Sequence, residues 1–182
     1  NCKLAKVIGK AYKKRRRMTM DTIFGIDKIF EMAKNIELDG AQFYRQAAEK
    51  TSNDDIKQVL LDLAAMEDGH LKIFEQIRKE LSEQNKNKNL FAADNQVALY
   101  LKNMADNRGG ERIKSPLERL SSNETIKEIL EIAIDGEKDS MLFYIGLKEL
   151  VPTKANKNQI EAIIKEEFSH VVALNLNLTV LG

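Results

Sequence analysis

The sequence holds two histidines, His70 and His170, and each follows a glutamate by three residues, in Glu67-Asp68-Gly69-His70 and Glu167-Phe168-Ser169-His170. On a helix, positions i and i+3 share a face within one turn, so each pair can aim a carboxylate oxygen and an imidazole nitrogen at a common point. Oxygen-rich donor sets with some imidazole suit iron or manganese, whereas a structural zinc site is more often tetrahedral and thiolate-rich. The flanks sharpen the point. Val59-Leu60-Leu61-Asp62-Leu63 before the first pair and Lys72-Ile73-Phe74 after it read as a water-avoiding helix that Glu67 and His70 interrupt. An ionised carboxylate without a partner is very costly in such a place.

The pattern recurs with a fixed offset. Adding 100 to Glu37, Tyr44, Glu67 or His70 lands on Glu137, Tyr144, Glu167 or His170. Glu37 precedes Glu67 by 30 residues, as Glu137 precedes Glu167, and each tyrosine follows its helix's glutamate by seven. The chain therefore reads as two copies of one helical hairpin, each bringing Glu-x6-Tyr on its first helix and Glu-x-x-His on its second. Two divalent ions balance four carboxylates, and two neutral imidazoles complete the donor set. Two Glu plus two Glu-x-x-His is the arrangement of the di-iron and di-manganese carboxylate bundles. The blander reading, buried ion pairs or a solvated face taken for core, suits one Glu-x-x-His far better than two in matched frames. Tyr44 and Tyr144 support two readings equally: hydrogen bonding or electron transfer beside the metals, or core tyrosines with their hydroxyls at a polar site.

Four long helices must position these groups. Asp21 is a good N-cap for a first helix over 22–50, and the cluster Thr51-Ser52-Asn53-Asp54-Asp55 opens a second over 54–84 with acids facing the positive end of its dipole. The polar string Gln84-Asn85-Lys86-Asn87-Lys88-Asn89 ends it. Residues 85–120 form a long connection with its own short helix, capped by Asp94, carrying Val97, Leu101 and Met104 on one face and stopping at Gly109-Gly110. A capping box from Ser121 to Glu124 opens a third helix over 122–150, Pro152 ends it, and a fourth fills 155–180. The inward stripes are Ile26, Phe30, Ala33, Glu37, Gly40, Tyr44, Ala47; then Ile56, Leu60, Leu63, Glu67, His70, Phe74, Ile77; then Ile126, Leu130, Ala133, Glu137, Ser140, Tyr144, Leu147; then Ile160, Ile163, Glu167, His170, Leu174. Their steps of three and four are the seam of a left-handed bundle. Gly40, Gly69 and Gly136 are poor helix-interior residues at ~1 kcal/mol each relative to Ala, which close helix approach or room around the metals explains.

Composition agrees. With 182 residues, 31% charged, 6% aromatic, no Trp and two Pro, the expectation is one all-α domain. The net charge of +1 conceals a basic leader: Lys3, Lys6, Lys10, Lys13, Lys14, Arg15, Arg16 and Arg17 leave 21 basic against 28 acidic residues in the remainder. An acidic body is a poor wrapper of nucleic acid. Residues 1–20 are expected to stand apart from a bundle over 21–182, as an expression-derived addition or a flexible basic tail. One cysteine, Cys2, rules out an intramolecular disulfide and any multi-thiolate metal centre, and no run approaches a membrane span. A cytoplasmic location is the simplest expectation.

Glu37-x6-Tyr44, Glu67-Asp68-Gly69-His70, Asp135-Gly136-Glu137-Lys138-Asp139 with Tyr144, and Glu166-Glu167-Phe168-Ser169-His170 together resemble the ferritin-like di-iron domain of the rubrerythrin family over about residues 22–180. The resemblance implies a ferritin-like four-helix bundle holding two iron ions, with manganese or a mixed pair as alternatives. It implies bridging by Glu67 and Glu167, with Glu37, Glu137, His70 and His170 as terminal ligands, and a homo-oligomer, a dimer by analogy. The implied activity is reduction of hydrogen peroxide or dioxygen. The chain departs from the family twice. It lacks the four cysteines of a rubredoxin-like domain, so a separate electron-donor protein such as a rubredoxin is expected. Ser140 also stands where the family has an extra glutamate, three residues after the third-helix ligand. A ferroxidase or iron-handling protein is the alternative, and a non-catalytic, metal-stabilised bundle the third.

Overall fold

A computed structural model describes residues 26–84, 96–106, 114–121 and 123–181. The basic leader with Cys2, the Asp21 cap, the polar string from Asn85, the Asp94 cap and the Gly109-Gly110 stop lie outside the described residues. Every regular element described is a helix: α1 (Ile26–Lys50), α2 (Asp54–Gln84), α3 (Gln96–Asp106), α4 (Pro116–Arg119), α5 (Ile126–Leu150) and α6 (Lys154–Leu181). Helix α1 pairs along its length with α2, and α5 with α6; the hairpins meet through α1 on α5 and α2 on α6. The result is the all-α, four-helix arrangement expected, with α3 and α4 in the crossover resting on α1 and α5.

The caps explain where helices begin. Asn53 Oδ1 accepts from the Ile56 amide at 3.0 Å, satisfying one of the free donors at the start of α2, and Asp54 and Asp55 occupy its first turn. Thr153 Oγ1 does the same for the Asn156 amide in α6 at 3.1 Å. The third long helix starts four residues later than the sequence suggests. Ser/Thr-x-x-Glu occurs twice in succession, at Ser121–Glu124 and at Thr125–Glu128, and the second is the complete box. At Ser121 the reciprocal half forms, its amide donating to Glu124 Oε2 at 2.9 Å, while its hydroxyl accepts from Asn123 at 3.4 Å in a turn. The short helix α4 was not legible as a helix, yet it carries a full box of its own, Ser115 with Glu118, and a proline in its first turn.

Along all four long helices the stripes read from the sequence are buried wherever their side chains are described, except for the half-buried Gly40, Ile126 and Ser140. The core falls into two apolar clusters. One gathers Phe30, Ala33, Phe74, Ile77, Tyr144, Leu147, Ile160 and Ile163, with Leu101 of α3; the other gathers Tyr44, Ala47, Ile56, Leu60, Leu63, Leu130, Ala133 and Leu174. The glutamates and histidines of the repeat lie between them in sequence on every helix. A polar layer is thus closed above and below by hydrocarbon.

Two glycines of α5 let the crossover sit down. A Cβ on Gly136 would fall 2.4 Å from Pro116 Cγ, and one on Gly146 would fall 3.0 Å from Leu101 Cδ2. Gly69 has no such reason, since a Cβ there meets nothing within 4 Å. Gly136→Ala is therefore expected to destabilise the protein by about 1–3 kcal/mol through overpacking against α4. Gly69→Ala is expected to stabilise it by up to about 1 kcal/mol through helix propensity. Opposite shifts in the urea midpoint, measured on the two variants side by side, are the expected result.

Candidate metal centre

Each long helix contributes one carboxylate to a single level of the bundle: Glu37 from α1, Glu67 from α2, Glu137 from α5 and Glu167 from α6, with His70 and His170 one turn along α2 and α6. All six side chains are buried. Their donor atoms form two groups, Glu37, Glu67, His70 and Glu167 in one and Glu67, Glu137, Glu167 and His170 in the other, each within 4.8 Å. Glu67 and Glu167 belong to both. His70 Nδ1 stands 3.0 Å from Glu167 Oε1 and 3.4 Å from oxygens of Glu37 and Glu67. His170 Nδ1 stands 3.3 Å from Glu167 Oε2 and 3.4 Å from oxygens of Glu67 and Glu137. The imidazole rings stack with centroids 5.8 Å apart.

These atoms are close without being bonded to each other. Glu37 Oε2, both oxygens of Glu167, and Nδ1 of both histidines are buried with no hydrogen-bond partner in satisfactory geometry. Native interiors rarely leave such groups unsatisfied, and five at one level point to a missing partner that all can address at once. A pair of divalent cations fits that description: the donors are carboxylate oxygen and imidazole nitrogen, and they converge on two points.

The tyrosines make a crossed pair. Tyr44 Oη donates to Glu137 Oε1 and Tyr144 Oη donates to Glu37 Oε1, so each hydroxyl serves the other hairpin's glutamate rather than the one on its own helix. The crossing requires α1 and α5 to run antiparallel. Each ring is anchored in a different apolar cluster, Tyr144 against Phe74 at 4.9 Å and Tyr44 against Phe43 at 5.3 Å. Burial, with the charges of Glu137 and Glu67, pushes the Tyr44 hydroxyl well above its ordinary range; burial, with Glu37 and Glu167, does the same for Tyr144. Both remain proton donors.

The carboxylates divide by environment. Burial, reinforced by neighbouring Glu67, raises Glu37; burial, reinforced by the charge of Glu167, raises Glu137. Burial also works to raise Glu67 and Glu167, but contacts with Glu37 and both imidazoles more than offset it at Glu67, as contacts with Glu137 and both imidazoles do at Glu167, and these two are held low. Burial alone would lower the histidines; the surrounding carboxylates overcome it, raising His70 strongly and pushing His170 up to about 12. The layer as a whole thus favours protons, which the imidazoles gain through the surrounding carboxylates and Glu37 and Glu137 gain through burial.

The surroundings of the layer add contacts that the sequence reading did not assign. Glu166 Oε2 lies 2.8 Å from His70 Nε2, the ring nitrogen facing away from the carboxylates. A break in the repeat marks it, because the residue 100 positions earlier is Met66. A groove between α1 and α5, bordered by Asp39, Gly40, Lys114, Pro116 and Ser140, reaches Tyr44, Glu67 and Glu137. The Ser140 hydroxyl, partly buried in that groove, turns back to donate to the Gly136 carbonyl at 3.0 Å. Gly40 borders the same groove, and a Cβ there would meet Glu67 Cγ only at the ordinary distance of 3.6 Å.

No curated protein matches the chain. A ferritin-like diiron-carboxylate protein from Thermotoga maritima has a similar structure, with a TM-score of 0.57 and 25% sequence identity over 83% of this chain and 92% of its own. The family model for rubrerythrin matches residues 28–175, a span that includes all six buried ligand-type residues and both tyrosines, and the chain belongs to the rubrerythrin family.

Proposed function

We propose that the protein is a non-haem di-iron oxidoreductase that reduces hydrogen peroxide, or dioxygen, with electrons from a separate donor protein such as a rubredoxin. The observation that carries this reading is the group of five buried, unpartnered nitrogen and oxygen atoms converging on two points. Glu67 and Glu167, shared by both groups, would hold both ions, Glu37 and His70 would hold one of them, and Glu137 and His170 the other. Bound ferrous ions supply two electrons and positive charge at the oxygen–oxygen bond. Cleavage of peroxide takes up those two electrons and two protons and gives two waters.

The chain's own groups orient and protect this chemistry. His70 and His170 come from α2 and α6, so the groove between α1 and α5 opens on the opposite face and admits a small oxidant to Glu67 and Glu137. The apolar clusters on either side exclude bulk water. Tyr44 and Tyr144 act as positioning residues, each holding a terminal carboxylate by a charge-assisted hydrogen bond and keeping its proton at Oη. Ser140, its hydroxyl bonded to its own helix, offers no carboxylate on the groove side of the layer, so the ions would be held by the six buried Glu and His side chains alone.

Protons and cations compete for the same atoms. Because His70 and His170 are held protonated and Glu37 and Glu137 are raised, loading two divalent ions near pH 7 is expected to release at least about two protons, and up to about four. Affinity then falls as pH falls. Calorimetry with Mn(II) in buffers of different ionisation enthalpy measures the number; release of none contradicts the ligand set.

Ferrous protein with about two irons per chain is expected to oxidise faster with peroxide than with dioxygen in stopped flow, and to be reduced again with its iron retained. Glu67→Ala is expected to slow that oxidation by roughly a hundredfold or more, since it removes a donor to both ions. Loss of iron into solution, or mineral growth with excess Fe(II), is instead the signature of iron handling. Metal that binds without any redox response identifies a bundle that metals only stabilise.

A further inference from the structure

The repeat that builds the two halves of the centre fails one residue before each bridging glutamate. Glu166 precedes Glu167, and its carboxylate lies 2.8 Å from Nε2 of His70 in the other hairpin. The equivalent residue, Met66, precedes Glu67 and offers only a thioether, a weak acceptor. His170 is 2% exposed, and its Nε2 has no hydrogen-bond partner among the described residues. The two imidazoles are alike in what Nδ1 faces and unlike in what Nε2 faces.

We propose that Glu166 is a positioning residue that makes the two metal sites unequal, the His70 site binding its divalent ion first and more tightly than the His170 site. The proposal rests on the ligand set given under Proposed function. To ligate through Nδ1, a neutral imidazole must carry its proton on Nε2. At His70 the Glu166 carboxylate accepts that hydrogen, fixes the tautomer and ring orientation, and makes the ring a stronger donor; at His170 no carboxylate does so. Loss of such a partner typically weakens metal binding by about 10–100-fold, and the same factor is expected between the two halves of this centre. Glu166 is itself about half exposed, so it is a side chain that can be changed without opening the core.

The test is an anaerobic Co(II) titration of the full chain, followed by the visible ligand-field bands and by proton NMR of the hyperfine-shifted, solvent-exchangeable imidazole N–H signals. The two ions share Glu67 and Glu167, so the first affects the second in every variant, and the ratio of the two constants is compared between variants. The wild-type protein is expected to bind in two steps at least about tenfold apart, with one exchangeable N–H shifting with the first equivalent. That signal is expected to be absent in His70→Ala and retained in His170→Ala. Glu166→Ala should bring the two steps together, Glu166→Gln should restore much of the separation because its amide oxygen still accepts the hydrogen, and Met66→Glu should tighten the weaker step. The Met66 variant alters a partly exposed helical position and keeps the test open should Glu166→Ala fold poorly. Equal steps in the wild type, first occupancy on the His170 side, or a ratio unchanged by Glu166→Ala overturns the proposal while leaving the metal centre standing; no Co(II) binding at all overturns both.

Discussion

Four carboxylates at one level of a four-helix bundle repel one another, and the rest of the structure is arranged around relieving that repulsion. At 4 Å and an effective dielectric constant near 20, each like-charged pair is unfavourable by about 4 kcal/mol. Several such pairs exceed the whole stability of an ordinary domain. Protonation relieves the excess charge, and divalent ions on the same donors would relieve it with the imidazoles neutral. Both solutions use the same six side chains. The apolar clusters on either side sharpen the same constraint, because excluding bulk water lowers the local dielectric and strengthens the repulsion that must be relieved.

The crossed tyrosines show how closely the hairpins depend on each other. Neither Glu37 nor Glu137 finds its tyrosine on its own helix; each takes a hydroxyl from the opposite copy. The layer therefore forms only when both hairpins are docked in the antiparallel register. A step of seven residues from glutamate to tyrosine on each helix of the pair is the spacing that satisfies both bonds at once. Shifting α5 by one turn against α1 would break both and move Glu137 out of the layer.

The sequence carried the buried Glu and His layer clearly because helical phase exposes it: a glutamate at a core position is anomalous alone and informative when repeated. The same reasoning set the termini of α2 and located the core stripes. It placed the start of α5 at Ser121 because two successive capping signatures look alike, and the choice between them is made by packing, with Ile126 settling against the cluster of Leu60 and Leu130. It did not find α4, whose four residues are too few for periodicity to register. Nor could it pair Tyr44 with Glu137, since phase along one helix says which side chains face inward but not which neighbour across the bundle they meet.

Where the two copies differ, the differences surround the ligands rather than replace them. Ile36 of the first copy becomes Gly136 in the second, and Pro116 of α4 fills the space; Gly40 becomes Ser140, whose hydroxyl satisfies itself on α5. Met66 becomes Glu166, which reaches across to His70. The six ligand-type residues face a common requirement, to neutralise one charged layer, and that requirement is symmetric. The groove and the outer nitrogens face no such requirement. Because α4 belongs to the crossover between the hairpins, it has no counterpart in the repeat, and the groove it borders departs from the two-fold pattern. A two-fold donor set inside a one-sided shell is the physical consequence of joining two copies through a single connection.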